Sequence, residues 1–345
     1  MNVNLNVPIK LSRAGAWRTY LGGKLIEALH GNTAAADSNF PEEWIMSTVA
    51  ARNSGREHIT EGLSKLENTE ISLADIIASE PERALGTAHV QKHGNTLGVL
   101  VKLIDSAERL TVQVHPTREK AMQLFGSPFG KTECWHILGG REVNGEKPCI
   151  YFGFKKGITK ERWKEIFDAQ DIPAMLNCMH RFEVKAGDTF LIKGGVPHAI
   201  GAGCFLVEVQ EPTDYTIRTE KVTPSGREVS DFMCHQGLGF EKMFDCFDYV
   251  GYTKQKILDQ WYIPQKGEAI IRYNDTEMFK LEALCVAGSR TLASNGVFSG
   301  IYVLEGEGTV NGTAVKAGAQ FFLAATCAPF EVTGNLRLIR FYGPK

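Results

Sequence analysis

The sequence predicts a mainly β protein built from two related β modules, with helical segments between strands. Two observations predict it. Short apolar or alternating stretches recur with Gly, Pro, Asn and Asp between them, among them "LGVLVKLID", "TVQVHP", "CIYFGF", "CFLVEVQ", "FKLEALCVA" and "LRLIRFYG". Many short strands with turn signals argue for a sandwich or barrel rather than a parallel sheet. One stretch also occurs twice: "VKAGDTFLIKGGVPHAI" at 184–200 and "VKAGAQFFLAATCAPFEV" at 315–332. Each copy starts VKAG, runs through an apolar strand and reaches a Pro after a small-residue turn, the mark of a repeated unit. After that Pro stands His198 in the first copy and Phe330 in the second. Chemistry assigned to His198 is therefore not expected of the second module.

Taken in order, two regions read as helical. "SLADIIASEPERALG" (72–86) opens on Ser72 with Asp75 three residues on, a capping-box-like start. "TKERWKEIFDAQDIPAMLNCM" (159–179) places Trp163, Ile166 and Phe167 at helical spacing behind Thr159 as N-cap. Pro173 is expected to break it in two. The domain boundary expected from this reading puts a catalytic module, with both helical segments, at 1–245 and a second module at 246–345.

Composition excludes some classes. The chain has 345 residues, 43% hydrophobic, with a net charge of −2, which offers no bulk charge for nucleic acid or a membrane surface. No apolar run reaches membrane-spanning length. The start of the sequence does not read as a signal peptide. The eight cysteines form no C-x-x-C pair and read as reduced thiols of a cytoplasmic protein.

The candidate site lies in the first module. In "TVQVHP" side chains alternate, so Gln113 and His115 share one face while Val112 and Val114 take the other. "GKTECW" supplies Glu133, with Lys131 two residues earlier on the same face, and "GGVPH" presents His198 from a Gly-rich turn. Two imidazoles, a carboxylate and an amide oxygen suit a divalent cation such as zinc. Lys102 is a charge inside an apolar run and is expected to face a polar cavity. Asp214 and Arg218 follow the strand in "VEVQEPTDYTIR", and Arg reads anionic oxygens through its planar fork. A cation site with Lys102, Lys131 and Arg218 nearby suits a small, oxygen-rich anion such as a sugar phosphate.

"QVHP", "GKTECW", "GGVPHAIG" and "VEVQEPTDYTIR", in this order, resemble the type I phosphomannose isomerases of the cupin superfamily, most closely the shorter bacterial branch. "AWRTYLGGKL" and "PEEWIMS" are similar to that family's opening segments. The resemblance covers essentially the whole chain and implies two cupin-type jelly-roll barrels with a helical insertion. It implies one Zn2+ per chain on Gln113, His115, Glu133 and His198. Active-site basic residues fall on Lys102, Lys131 and Arg218, with Asp214 as a nearby acid and Ser47 near the substrate phosphate. The implied reaction interconverts mannose 6-phosphate and fructose 6-phosphate through an enediolate, with Lys131, Asp214, Glu208 and His136 as candidate proton carriers. Alternatives are a sugar-binding or sensing cupin without turnover, an iron oxygenase, and an isomerase of an unphosphorylated sugar or of a different phosphorylated aldose. The chain departs from the family pattern at His136, where Tyr is usual, and at "TEKVTPSGRE" after Arg218.

Overall fold

The computed structural model describes residues 3–53 and 55–345. Three antiparallel sheets carry the fold. A six-stranded sheet has the order Gly15–Ala16, Glu42–Ile45, Leu100–Asp105, Cys204–Gln210, Glu133–Gly140, Thr189–Ile192. A five-stranded sheet runs Ile217–Arg218, Gln113–Val114, His198–Ile200, Cys149–Phe154, Met179–Glu183. The pattern of alternation decides how they stack. Ile104, Trp135, Ile137, Phe190, Ile192 and Leu206 from the first sheet meet Ile150, Phe152 and Ile200 from the second, making the interior of a jelly-roll barrel.

Each sheet has a second apolar face, because its strands are buried on both sides. Val112, Val114, Phe154, Ala199 and Ile217 on the back of the five-stranded sheet pack under Trp163, Ile166, Phe167 and Met175 of the helical segment. Val112 and Val114 therefore face the helices, which leaves Gln113 and His115 for the barrel interior. The back of the six-stranded sheet supplies Val101, Leu103, Cys134, Leu191, Val207 and Val209 to a core shared with Tyr302, Phe322, Ile339 and Phe341 of the second module.

The second module is a seven-stranded sheet built on three long strands, Lys280–Leu292, Ser299–Val310 and Phe330–Tyr342, and it curls around its own apolar core. The repeat is visible in three dimensions. A strand starts at His198 in one module and at Phe330 in the other, and Phe330 is a buried core residue. The chain is mainly β and built of two cupin-type barrels.

Two segments reach across the boundary expected at 245/246. Helix Lys254–Trp261 sends Ile257 and Trp261 into the interior of the first barrel. Strand Ile9–Leu11, at the other end of the chain, pairs with Gln320–Leu323 of the second module. Apolar side chains go where a face lacks cover, and both segments cross the line drawn from the sequence.

The helical readings hold with refinements. Ser72 caps helix Leu73–Ser79, its Oγ accepting from Asp75 N at 3.0 Å while donating to the Asp75 carboxylate. Thr159 caps helix Lys160–Asp168, and Pro173 lies in the first turn of a separate helix, Ile172–Asn177. The break itself is at Gln170, whose φ of 48° is left-handed, so Pro173 starts the second helix instead of ending the first.

The core between the modules gives a test. Phe341 is fully buried there. Phe341→Ala is expected to cost about 3–5 kcal/mol, read as an earlier urea unfolding midpoint.

Candidate active site

Cross-strand register assembles one wall of the site. Trp44, Lys102, Glu208, Trp135 and Phe190 lie directly opposite one another across five strands of the six-stranded sheet. Neighbours in this row interact, as cross-strand pairs do. Lys102 Nζ donates to Glu208 Oε1 at 2.8 Å and stands 5.1 Å from the centre of the Trp44 ring. Trp135 Nε1 donates to Glu208 Oε2 at 3.1 Å. The charge of Lys102, 3% exposed, is thus paired inside the barrel and does not reach the surface. Burial opposes its charge, but Glu208 and Glu42 more than offset this and raise its pKa.

The opposite wall comes from the five-stranded sheet, where Arg218, Gln113 and His198 are register neighbours. Glu133 faces them from the six-stranded sheet. His115 Nε2 lies 3.2 Å from Glu133 Oε2, and His198 Nε2 lies 3.5 Å from Glu133 Oε1. Suitable donor atoms of His115, Glu133 and His198 all fall within 4.8 Å of one another. The Gln113 amide is 3.4 Å from His198 Nε2, and turning it over presents its oxygen there instead.

Backbone packing brings these four together. A Cβ on Gly130 would come 2.6 Å from the Pro116 carbonyl oxygen, and one on Gly194 would come 2.7 Å from it. Lys131 N donates to Pro116 O at 3.1 Å and Gly195 N donates to His115 O at 2.7 Å. The three ligand-bearing segments therefore close on Pro116, and the glycines of "GKTE" and "GGVPH" permit the approach.

The polar chemistry fits a cation. Each imidazole gives its Nδ1–H to a backbone carbonyl, His115 to Tyr215 O and His198 to Val196 O, both at 2.8 Å. That fixes the tautomer with the Nε2 lone pair pointing inward. Burial pushes both histidines below their ordinary pKa, keeping them neutral. Both Glu133 carboxylate oxygens are buried without a hydrogen-bond partner. A buried carboxylate left bare is costly, and a divalent ion among these donors removes the cost.

A narrow cleft leads away from this set. Arg18, Glu42, Lys102, Thr111, Gln113, Lys131, Glu208, Asp214 and Arg218 line it. Lys131 Nζ sits at its inner end, 3.2 Å from His115 Nε2 and 3.6 Å from Glu133 Oε2. Arg218 donates to the carbonyls of Thr216 and Met233. At the mouth Arg109 makes a two-point pair with buried Glu220 at 2.6 and 2.8 Å. Asp214 is held well below the usual carboxylate range. Burial would raise it, but Arg18, Lys102, Lys131 and Arg218 together outweigh burial.

Two residues singled out from the sequence lie apart from the cleft lining. Ser47 is buried outside the cleft lining, its Oγ bonded to the carbonyl and amide of Val49. His136 follows Trp135 on the strand and so points to the other face, where Nδ1 meets Thr189 Oγ1 at 2.9 Å. Burial lowers it to about 4, and Arg337 of the second module adds to the shift. Arg18, Glu42 and Arg109 line the cleft without having been singled out from the sequence.

Comparison with known proteins agrees. The family model "Phosphomannose isomerase type I, catalytic domain" matches residues 36–128, and "Mannose-6-phosphate isomerase, cupin domain" matches 269–343. A mannose-6-phosphate isomerase of Streptococcus mutans is 26% identical over 270 residues, 75% of this chain and 79% of that one. One of Bacillus subtilis is 30% identical over 199 residues, 56% of this chain and 57% of that one. The crystal structure of a Bacillus subtilis mannose 6-phosphate isomerase superposes with a TM-score of 0.73 at 21% identity, over 97% of this chain and 99% of that one. The apo form of the Salmonella typhimurium enzyme gives 0.72 at 15%, over 98% and 99%. Fold and relatives together indicate an isomerase built of cupin-type barrels. The family it resembles is the type I phosphomannose isomerases.

The Pro116 packing generates a prediction. Gly194→Ala drives a Cβ against a backbone oxygen and is expected to displace His198. Bound divalent metal per folded chain, measured by elemental mass spectrometry, should fall well below the wild-type value.

Proposed function

We propose that this chain interconverts mannose 6-phosphate and fructose 6-phosphate, with one zinc ion held by Gln113, His115, Glu133 and His198. One observation carries the reading. His115 and His198 converge on the bare Glu133 carboxylate, with the Gln113 amide beside His198 and a cleft lined by Lys102, Lys131 and Arg218 next to them. When bound, the ion would act as a Lewis acid or hold the sugar oxygens in place.

The chain's own residues do the rest. The C2 proton of an open-chain aldose is weakly acidic until the adjacent carbonyl is polarised, and it must be returned at C1. Lys131 Nζ is the amine at the edge of the ligand set and carries that proton. Arg218 and Lys102 offset the negative charge that develops on the enediolate, by preorganised electrostatics. Asp214 accepts a hydrogen bond from a sugar hydroxyl and sets the open chain along the cleft. Its recorded contacts fall on Oδ2, which leaves Oδ1 for substrate. Glu208 is held through both oxygens by Lys102 and Trp135 and serves as their anchor, not as a proton carrier.

A second reading keeps the chemistry and drops the phosphate. It is favoured by pairing within the cleft: Arg18 with Glu42, Lys102 with Glu208 and Arg109 with Glu220 already match charge with charge. Comparing kcat/KM for mannose 6-phosphate and for mannose decides between the two.

The test is release of fructose 6-phosphate from mannose 6-phosphate, before and after chelation and after reloading with single metals. Turnover should vanish with the metal and return with zinc. Lys131→Met should lower kcat on the order of 10²–10⁴-fold while bound metal stays at one per chain. Tight sugar phosphate binding with no turnover in the zinc-loaded wild type would instead make the chain a binding module.

A further inference from the structure

Arg18 lines the cleft but has no part in the reaction as described. It belongs to the N-terminal segment and is 7% exposed. Its Nε lies 3.0 Å from Glu42 Oε1, and Nη1 donates to Asn53 Oδ1 at 3.3 Å and to Asp214 Oδ2 at 3.5 Å. Its guanidinium stands 5.0 Å from the centre of the Trp44 ring, the same ring that meets Lys102. Glu42 is itself fixed, by Tyr20 Oη at 2.8 Å and Trp44 Nε1 at 2.7 Å. Charges of alternating sign thus run along one wall: Asp214, Arg18, Glu42, Lys102, Glu208, with contacts of 3.5, 3.0, 4.0 and 2.8 Å.

Asp214 is the loop-borne end of this chain. Without Arg18, its recorded partner on Oδ2 is the backbone amide of Arg52 at 3.2 Å. Its other charged neighbours reach it from different elements: Lys102 from the six-stranded sheet, Lys131 ahead of Glu133, and Arg218 from the five-stranded sheet. Glu42 and Glu208 sit behind the cations. We infer that Arg18 is the positioning residue of Asp214. It connects the strand-anchored Glu42 to a loop carboxylate and so holds that carboxylate ionised and aimed into the cleft. The role of Asp214 toward sugar rests on the isomerase reading; the link between Arg18 and Asp214 does not.

The sign of the effect follows from the partners. A cation beside a carboxylate favours its ionised form, so removing Arg18 moves protonation of Asp214 to higher pH. Arg18→Met is expected to bring an acidic limb into the pH profile of kcat/KM above about pH 4, where Asp214 of the wild type stays ionised. Arg18→Lys keeps the charge and should introduce no such limb, though it loses the two-point fork. With Asp214→Asn in place, Arg18→Met should introduce no limb either and should cost no more than about threefold further, as coupled residues do.

A readout without turnover separates this inference from the isomerase reading. In metal-loaded, substrate-free protein with 13C-labelled aspartate, the signal lost in Asp214→Asn identifies the carboxyl carbon. In wild type it should not titrate above about pH 4, and in Arg18→Met its titration should enter that range. An unmoved carboxyl titration in folded Arg18→Met overturns the inference, whatever the activity. So does a tenfold rise in KM for mannose 6-phosphate alone with kcat unchanged, which would make Arg18 a phosphate contact. Loss of all wild-type turnover with the carbon shift intact would sink the isomerase reading and leave this one standing.

Discussion

The bare carboxylate of Glu133 is the constraint around which the first barrel is organised. It is wholly buried, opposite two neutral imidazoles, and no N–H or O–H of the described residues reaches it. In a low-dielectric interior such a group needs a compensating charge. Lys131 lies 3.6 Å away and gives part of it. The remaining geometry makes sense as the housing of a divalent cation: tautomers locked by backbone carbonyls, an amide across the sheet, glycines that let three loops converge on one carbonyl. The charged row on the same sheet fits the proposed reaction, in which substrate oxygens would need counter-charges prepared in advance.

Much of this was legible in the residues. Period-two alternation placed Gln113 and His115 on one face, and the facing residues Val112 and Val114 do pack under the helices. The lysine inside "LVKLI" does face a polar interior. Convergence was not legible, since residues 18 and 65 positions apart in the chain carry no record of a shared cavity. The contact of Gly130 and Gly194 with Pro116 is tertiary, so local pattern could not reveal it. Arg18 escaped notice for a related reason. Its two acidic partners lie on distant segments, and only the folded barrel brings them to one guanidinium. Ser47, expected near the substrate phosphate from motif similarity, has its hydroxyl engaged in a local turn with the Val49 backbone.

The two modules show what the repeat preserves and what it discards. Both begin a strand just after the Pro, so the backbone device survives. In the second copy Phe330 fills the interior with an apolar ring where the first copy directs an imidazole. A core closed by Phe stabilises by burial alone and has no need of an ion. The second module also covers the back of the catalytic sheet, which is why strands carrying Lys102, Glu133 and Glu208 can be apolar on their reverse side. Its contribution to the site is rigidity at second hand.

The pairing of Ile9–Leu11 with the strand Gln320–Leu323 bears on how the polypeptide is made. Gln320 also donates to Ser12 O, a partner 308 positions earlier in the chain. During synthesis this early segment must wait, unpaired, until a partner 308 positions later has emerged. Such a long closure is a slow step, so the second sheet is expected to be completed late, on top of a first barrel already able to form its own interior.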